Sequence, residues 1–122
     1  MSNFYNPLHL DPKDLFTAQA LTVSGGATPS ATSSRLPVYK DSKLQFYVSN
    51  TGASTNVTVI IYATPTLTSL RKGEIQTFTL GVNDDGWTYL DTPAVPGYVY
   101  AIATNNDSSN SAIITATVDR YR

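Results

Sequence analysis

The feature that most constrains this chain is a change of period near residue 38. From there on, apolar and polar residues alternate one by one. Leu44, Phe46 and Val48 alternate with Gln45, Tyr47 and Ser49. Val57, Val59, Ile61 and Ala63 alternate with Thr58, Ile60 and Tyr62. Phe78, Leu80 and Val82 share one face of 75–82, and Ala112, Ile114, Ala116 and Val118 share one face of 112–119. Successive side chains of a strand point to opposite faces, so a period of two with β-branched and aromatic enrichment predicts half-buried strands. Trp87–Leu90 reads as a short aromatic strand. Tyr98–Ala103 is apolar on both faces, as a central strand would be.

Turn residues punctuate these segments. Asn50-Thr51-Gly52, Asn83-Asp84-Asp85-Gly86, the stretch 92–97 with two prolines and a glycine, and the Asn/Asp/Ser run 105–110 all break the pattern. Such residues tolerate left-handed backbone or fix a bend. Six short strands, one or two more upstream, and no βαβ alternation predict an all-β antiparallel sandwich, jelly-roll or immunoglobulin-like.

The first 37 residues show no such period. Asp11 and Pro12 suit the cap and first residue of a helical turn over 11–16. Residues 18–23 suit a strand, and Leu36–Lys40 suits another. The run 24–34 is rich in Ser, Thr, Gly and Pro and reads as a flexible connector. The expectation is therefore an extended N-terminal arm over 1–37 and a sandwich domain over 38–122. Phe4, Tyr5, Leu8, Leu10, Leu15, Phe16, Leu21 and Val23 are the apolar residues with which such an arm would hold a neighbour.

Composition narrows the chemistry. The chain has no cysteine, which excludes a disulfide framework, a thiolate zinc site and a cysteine nucleophile. It has a single histidine, His9, flanked by Leu8 and Leu10 with no carboxylate pair of recognised spacing. The eight basic residues are scattered among nine acids, so no basic face for nucleic acid is expected. No stretch approaches the 18 apolar residues of a membrane helix.

Two oxygen-rich loops carry weak metal candidates, Asp84 and Asp85 in one and Asp107 in the other. Neither continues as a calcium-loop pattern, and turn formation explains both. Asp91 and Asp119 complete the acids considered for a glycosidase-type pair, but none lies in an apolar sequence context that would raise its pKa. No cofactor and no enzymatic activity are expected. Asn56-Val57-Thr58 and Asn106-Asp107-Ser108 match the glycosylation pattern as chance in a chain this rich in Asn and Thr.

What remains is surface chemistry. With Phe46 and Ile61 inward, Tyr47, Ile60 and Tyr62 point outward and form a candidate interface. Trp87, Tyr89, Tyr98 and Tyr100 form a candidate platform for sugar rings. Stiff aromatic groups with a polar tip suit both uses.

The first residues have neither a basic n-region nor an apolar run, so no secretory signal is expected. Yet Ser and Thr number 29 of 122 and charged residues only 14%, a surface suited to the outside of a cell. That combination fits a virion protein, assembled inside a cell and released with the particle. The leading expectation is a structural assembly protein, a capsid decoration or cement protein at the virion surface. It would be homo-oligomeric, with copies of itself or a major capsid protein as partners. The alternatives are an extracellular filament subunit using the arm as a donated strand, and a carbohydrate-binding module.

Overall fold

The computed structural model describes residues 9–25, 28–38, 43–91 and 97–121. Among these are nine strands: β1 (His9–Leu21), β2 (Ser30–Thr32), β3 (Leu36–Val38), β4 (Lys43–Asn50), β5 (Val57–Thr64), β6 (Gly73–Leu80), β7 (Asp84–Asp91), β8 (Gly97–Asn105) and β9 (Ala112–Tyr121). They form two antiparallel sheets, ordered β1-β9-β4-β7 and β2-β8-β5-β6, with β3 also paired to β8. The all-β antiparallel sandwich expected from the period is the architecture found.

The topology chooses between the two expected variants. β2 and β3 lie end to end along β8, opposite 102–104 and 97–99. Between them the Ser33 amide donates to Ala101 O at 2.9 Å, and the Ala101 amide donates to Ser33 Oγ at 2.8 Å. They are one strand interrupted at 33–35. Counted so, eight strands pair first with eighth, second with seventh, third with sixth and fourth with fifth. A chain folded as one long hairpin and then rolled gives that nesting, which is a jelly roll.

Alternation packs the space between the sheets. Leu44, Phe46 and Val48 of β4 and Ala112, Ile114, Ala116 and Val118 of β9 face Val57, Val59 and Ile61 of β5 and Val99, Ala101 and Ala103 of β8. Phe78 and Leu80 of β6 close one side. A Cβ on Gly86 would lie 2.8 Å from the Phe78 ring, so only glycine lets β7 approach that ring.

The N-terminal region differs most from expectation. The helical turn predicted over 11–16 is strand, and β1 runs from His9 rather than from Ala18. Leu15, Phe16 and Leu21 are buried in this chain's own core. Three register shifts against β9 explain why no period shows. Pro12 sits at the first, where the ladder needs no donor. The second turns both Leu15 and Phe16 inward, although they are adjacent in sequence. At the third, Ala18 takes a left-handed φ of 46°. The expected connector over 24–34 contains β2.

Candidate functional site

Two aromatic groups occupy opposite outer faces of the sandwich. The first lies on β4 and β7. On β7, Gly86, Thr88 and Leu90 alternate with Asp85, Trp87 and Tyr89, so the latter three face solvent. Tyr47 stands directly opposite Trp87 on β4, and Gln45 opposite Tyr89. The Trp87 and Tyr89 rings meet edge to face, with centroids 5.0 Å apart and planes at 84°. The Tyr47 hydroxyl donates to Asp85 Oδ2 at 3.0 Å, and this bond raises the phenol pKa above its usual value. Tyr47, Trp87 and Tyr89 are 38%, 58% and 64% exposed. β7 ends its sheet among the described residues, so one side of its backbone meets no neighbouring strand.

The second group lies on β5 and β8. Tyr62 and Tyr100 are cross-strand neighbours, stacked with centroids 5.4 Å apart and planes at 27°. The Arg35 guanidinium sits 4.9 Å from the centre of the Tyr100 ring, and the Lys72 ammonium 4.4 Å from that of Tyr62. The order Arg35, Tyr100, Tyr62, Lys72 is a column capped by a cation at each end. Cation–π contacts of this kind hold the rings against their own sheet, and Tyr100 is buried. Ile60 and Tyr98 are half-buried on the same two strands.

These positions correct two expected groupings. Tyr47 does not share a face with Ile60 and Tyr62, because β4 and β5 belong to different sheets. Trp87 and Tyr89 do not form a row with Tyr98 and Tyr100, for the same reason. The structure joins Tyr47 to Trp87 and Tyr89 instead, across the β4–β7 register.

The acidic candidates are engaged in backbone structure. Asp107 accepts from the Thr55 amide and hydroxyl at 3.0 and 2.9 Å, from the Ser109 and Asn110 amides at 2.8 and 3.2 Å, and from the Asn110 side chain at 3.2 Å. These donors, led by the Thr55 amide, hold its carboxyl well below the usual range. Asp84 accepts from the Gly81 and Asp85 amides at the β6–β7 corner. Asp84, Asp85 and Gly86 thus belong to β7 rather than to a hairpin turn, and β6 and β7 lie in different sheets. No group of three or more His, Cys, Asp or Glu that could hold a metal occurs among the described residues.

Of the expected arm residues, Leu15, Phe16 and Leu21 are core. Val23 follows β1 half-buried, its amide donating to Ser111 Oγ at 3.3 Å. Leu10 lies in β1 opposite Arg120, and His9 opposite Tyr121. Phe4, Tyr5 and Leu8 lie outside the described residues.

Sequence reasoning took Arg71-Lys72 as a loop tip but missed the leucines of that loop, between β5 and β6. Leu67 is 59% and Leu70 95% exposed there. The available signal was two leucines in a segment without alternation, next to Arg71-Lys72.

No protein-family model and no curated protein matches the chain. Among solved structures it is similar to one titled "Structure of infectious bursal disease virus Gx strain", with a TM-score of 0.55 and 8% identity. The match covers 96% of this chain and 32% of that one, so this chain spans about a third of the length of the solved chain. At that identity the likeness is one of fold, and it agrees with the two-sheet sandwich derived from the strand pairing.

Proposed function

We propose that this protein is a non-enzymatic structural subunit of a virion, a capsid decoration or cement protein that works by forming protein–protein contacts. The observation that carries the reading is the exposed group Tyr47, Trp87 and Tyr89. Contiguous exposed aromatics are costly in water and mark interaction surfaces. Trp and Tyr also dominate the energetics of protein interfaces. Trp87 and Tyr89 lie on β7, an edge strand among the described residues, where a partner strand can add backbone hydrogen bonds. Jelly rolls serve both as capsid and as lectin domains. The fold likeness to a chain from a viral particle supports the first use, and the perpendicular setting of Trp87 on Tyr89 disfavours the second. Two rings at 84° do not present one flat platform to a sugar chain. The partners on this reading are copies of the chain itself or a major capsid protein, at the virion surface.

The test is the mass of the purified protein in solution, with and without Trp87→Ser and Tyr89→Ser. The expected result is a species larger than 13.2 kDa that the double variant reduces while the melting temperature holds. A monomer at every concentration that binds glycans through Trp87 would overturn the reading in favour of a carbohydrate-binding module.

A further inference from the structure

The loop 65–72 presents apolar and basic side chains from a braced backbone. Thr66 Oγ1 accepts from the Ser69 amide at 3.0 Å, and Ser69 Oγ accepts from the Arg71 amide at 3.0 Å. Thr64 Oγ1 donates to Arg71 O at 2.7 Å, and Arg35 Nη1 donates to Thr66 O at 2.8 Å. The Lys72 ammonium rests on the Tyr62 ring. Held so, the loop still leaves Leu70 almost wholly in water and Leu67 more than half exposed. No acid lies between Thr64 and Gly73, so the tip carries the charge of Arg71 and Lys72. An ordered loop that holds leucines outward has already lost the entropy that binding would otherwise cost.

The β4–β7 face has the converse chemistry. Its apolar surface is the Tyr47, Trp87 and Tyr89 rings. At the Tyr89 end Lys43 stands opposite Asp91. At the Trp87 end Asp84 and Asp85 stand opposite Asn50 and Ser49, with no cation across from them. That end is therefore acidic, with the Asp85 carboxylate held at the Tyr47 hydroxyl beside rings that attract a guanidinium by their faces.

We propose that loop 65–72 of one copy docks on the Tyr47/Trp87/Tyr89 face of a second copy of this chain. Leu70 covers the angle between the Trp87 and Tyr89 rings, and Arg71 meets Asp85. This rests on the reading that the face is a protein interface, and it names the occupant. The two surfaces differ, so the contact either repeats head to tail or is reciprocated in a two-fold dimer.

Sedimentation velocity on the full chain over a concentration series tests this. Leu70→Asp and Arg71→Glu are exposed changes and should leave the melting temperature in place. Each is expected to weaken self-association about ten-fold or more, as misplaced charge at a contact does. Asp85→Arg alone should do the same, and Arg71→Glu with Asp85→Arg should recover to within about three-fold of the parent, since a swapped pair restores the coupling. A parent chain that stays monomeric, or loop variants that associate like the parent, would overturn the inference. In that second case, loss of association in Trp87→Ser with Tyr89→Ser leaves the interface standing with another occupant. Association indifferent to both sets of variants would sink the interface as well.

Discussion

The Asn105 side chain is buried and uses its whole hydrogen-bonding capacity. Its amide donates to Leu21 O at 3.1 Å and Asn110 O at 2.9 Å, and its oxygen accepts from Ser54 Oγ at 2.7 Å and the Asp107 amide at 3.1 Å. Asn50, also buried, donates to Ser54 O and Gly81 O and accepts from the Gly52 and Ile113 amides. With Ser54 between them, these two amides tie the end of β1, the 50–56 loop, the β6–β7 corner and the 105–111 loop into one end of the sandwich. Removing one member strands several buried groups at once. Asn105→Ala is therefore expected to cost about 2–4 kcal/mol, on the scale of buried groups left unsatisfied. Urea unfolding should show it as a lower midpoint at unchanged slope.

Asp107 belongs to the same scale. Its native pKa lies below the unfolded value, so the folded state binds fewer protons than the unfolded chain between the two. The stabilisation is complete above about pH 4, the ordinary carboxylate value, and is lost as pH falls toward the depressed native pKa. Melting temperatures measured from pH 5 downward should fall less steeply in Asp107→Asn than in the parent. Equal slopes would mean that the five donors around the carboxylate contribute nothing to acid stability.

At the scale of elements, β1 decides whether the N-terminal region is detachable. It places Leu15, Phe16 and Leu21 in the core and covers the outer edge of β9. Each such side chain contributes roughly 1.5–3 kcal/mol by burial. Their combined loss is comparable with the roughly 5–15 kcal/mol by which a domain of this kind is stable. Deleting residues 2–21 should therefore unfold the chain, read as loss of the cooperative thermal transition. A truncated body that still melts cooperatively would show that the remaining strands close the core alone. At β7, Gly86→Ala should destabilise the protein, because the added methyl collides with the Phe78 ring, which must move within the packed core to relieve it.

At the scale of the whole molecule, the strands with strict alternation were legible because one face of each is buried and the other is not. β4, β5 and β9 fall where Leu44–Val48, Val57–Ala63 and Ala112–Asp119 placed them. β1 was hidden because three register shifts break its period, and a bulge turns adjacent Leu15 and Phe16 the same way. Trp87 and Tyr89 were legible as surface aromatics. Their companion was not, since the register that sets Tyr47 opposite Trp87 joins residues 40 positions apart. Leu70 was not legible as exposed from hydropathy, which reads a leucine as core; its sign lay in a segment without alternation beside Arg71-Lys72.

By itself the sequence determined the fold class, the inward set of most strands and the poverty of charge and of metal-binding side chains. These follow from local alternation and composition. Only the tertiary structure decided that His9–Leu21 is the first strand of a jelly roll, which aromatics share a face, and which carboxylates serve loops. Those outcomes depend on which strands pair and in what register. Pairing is a long-range choice, made by burying the whole core at once, that no single segment encodes.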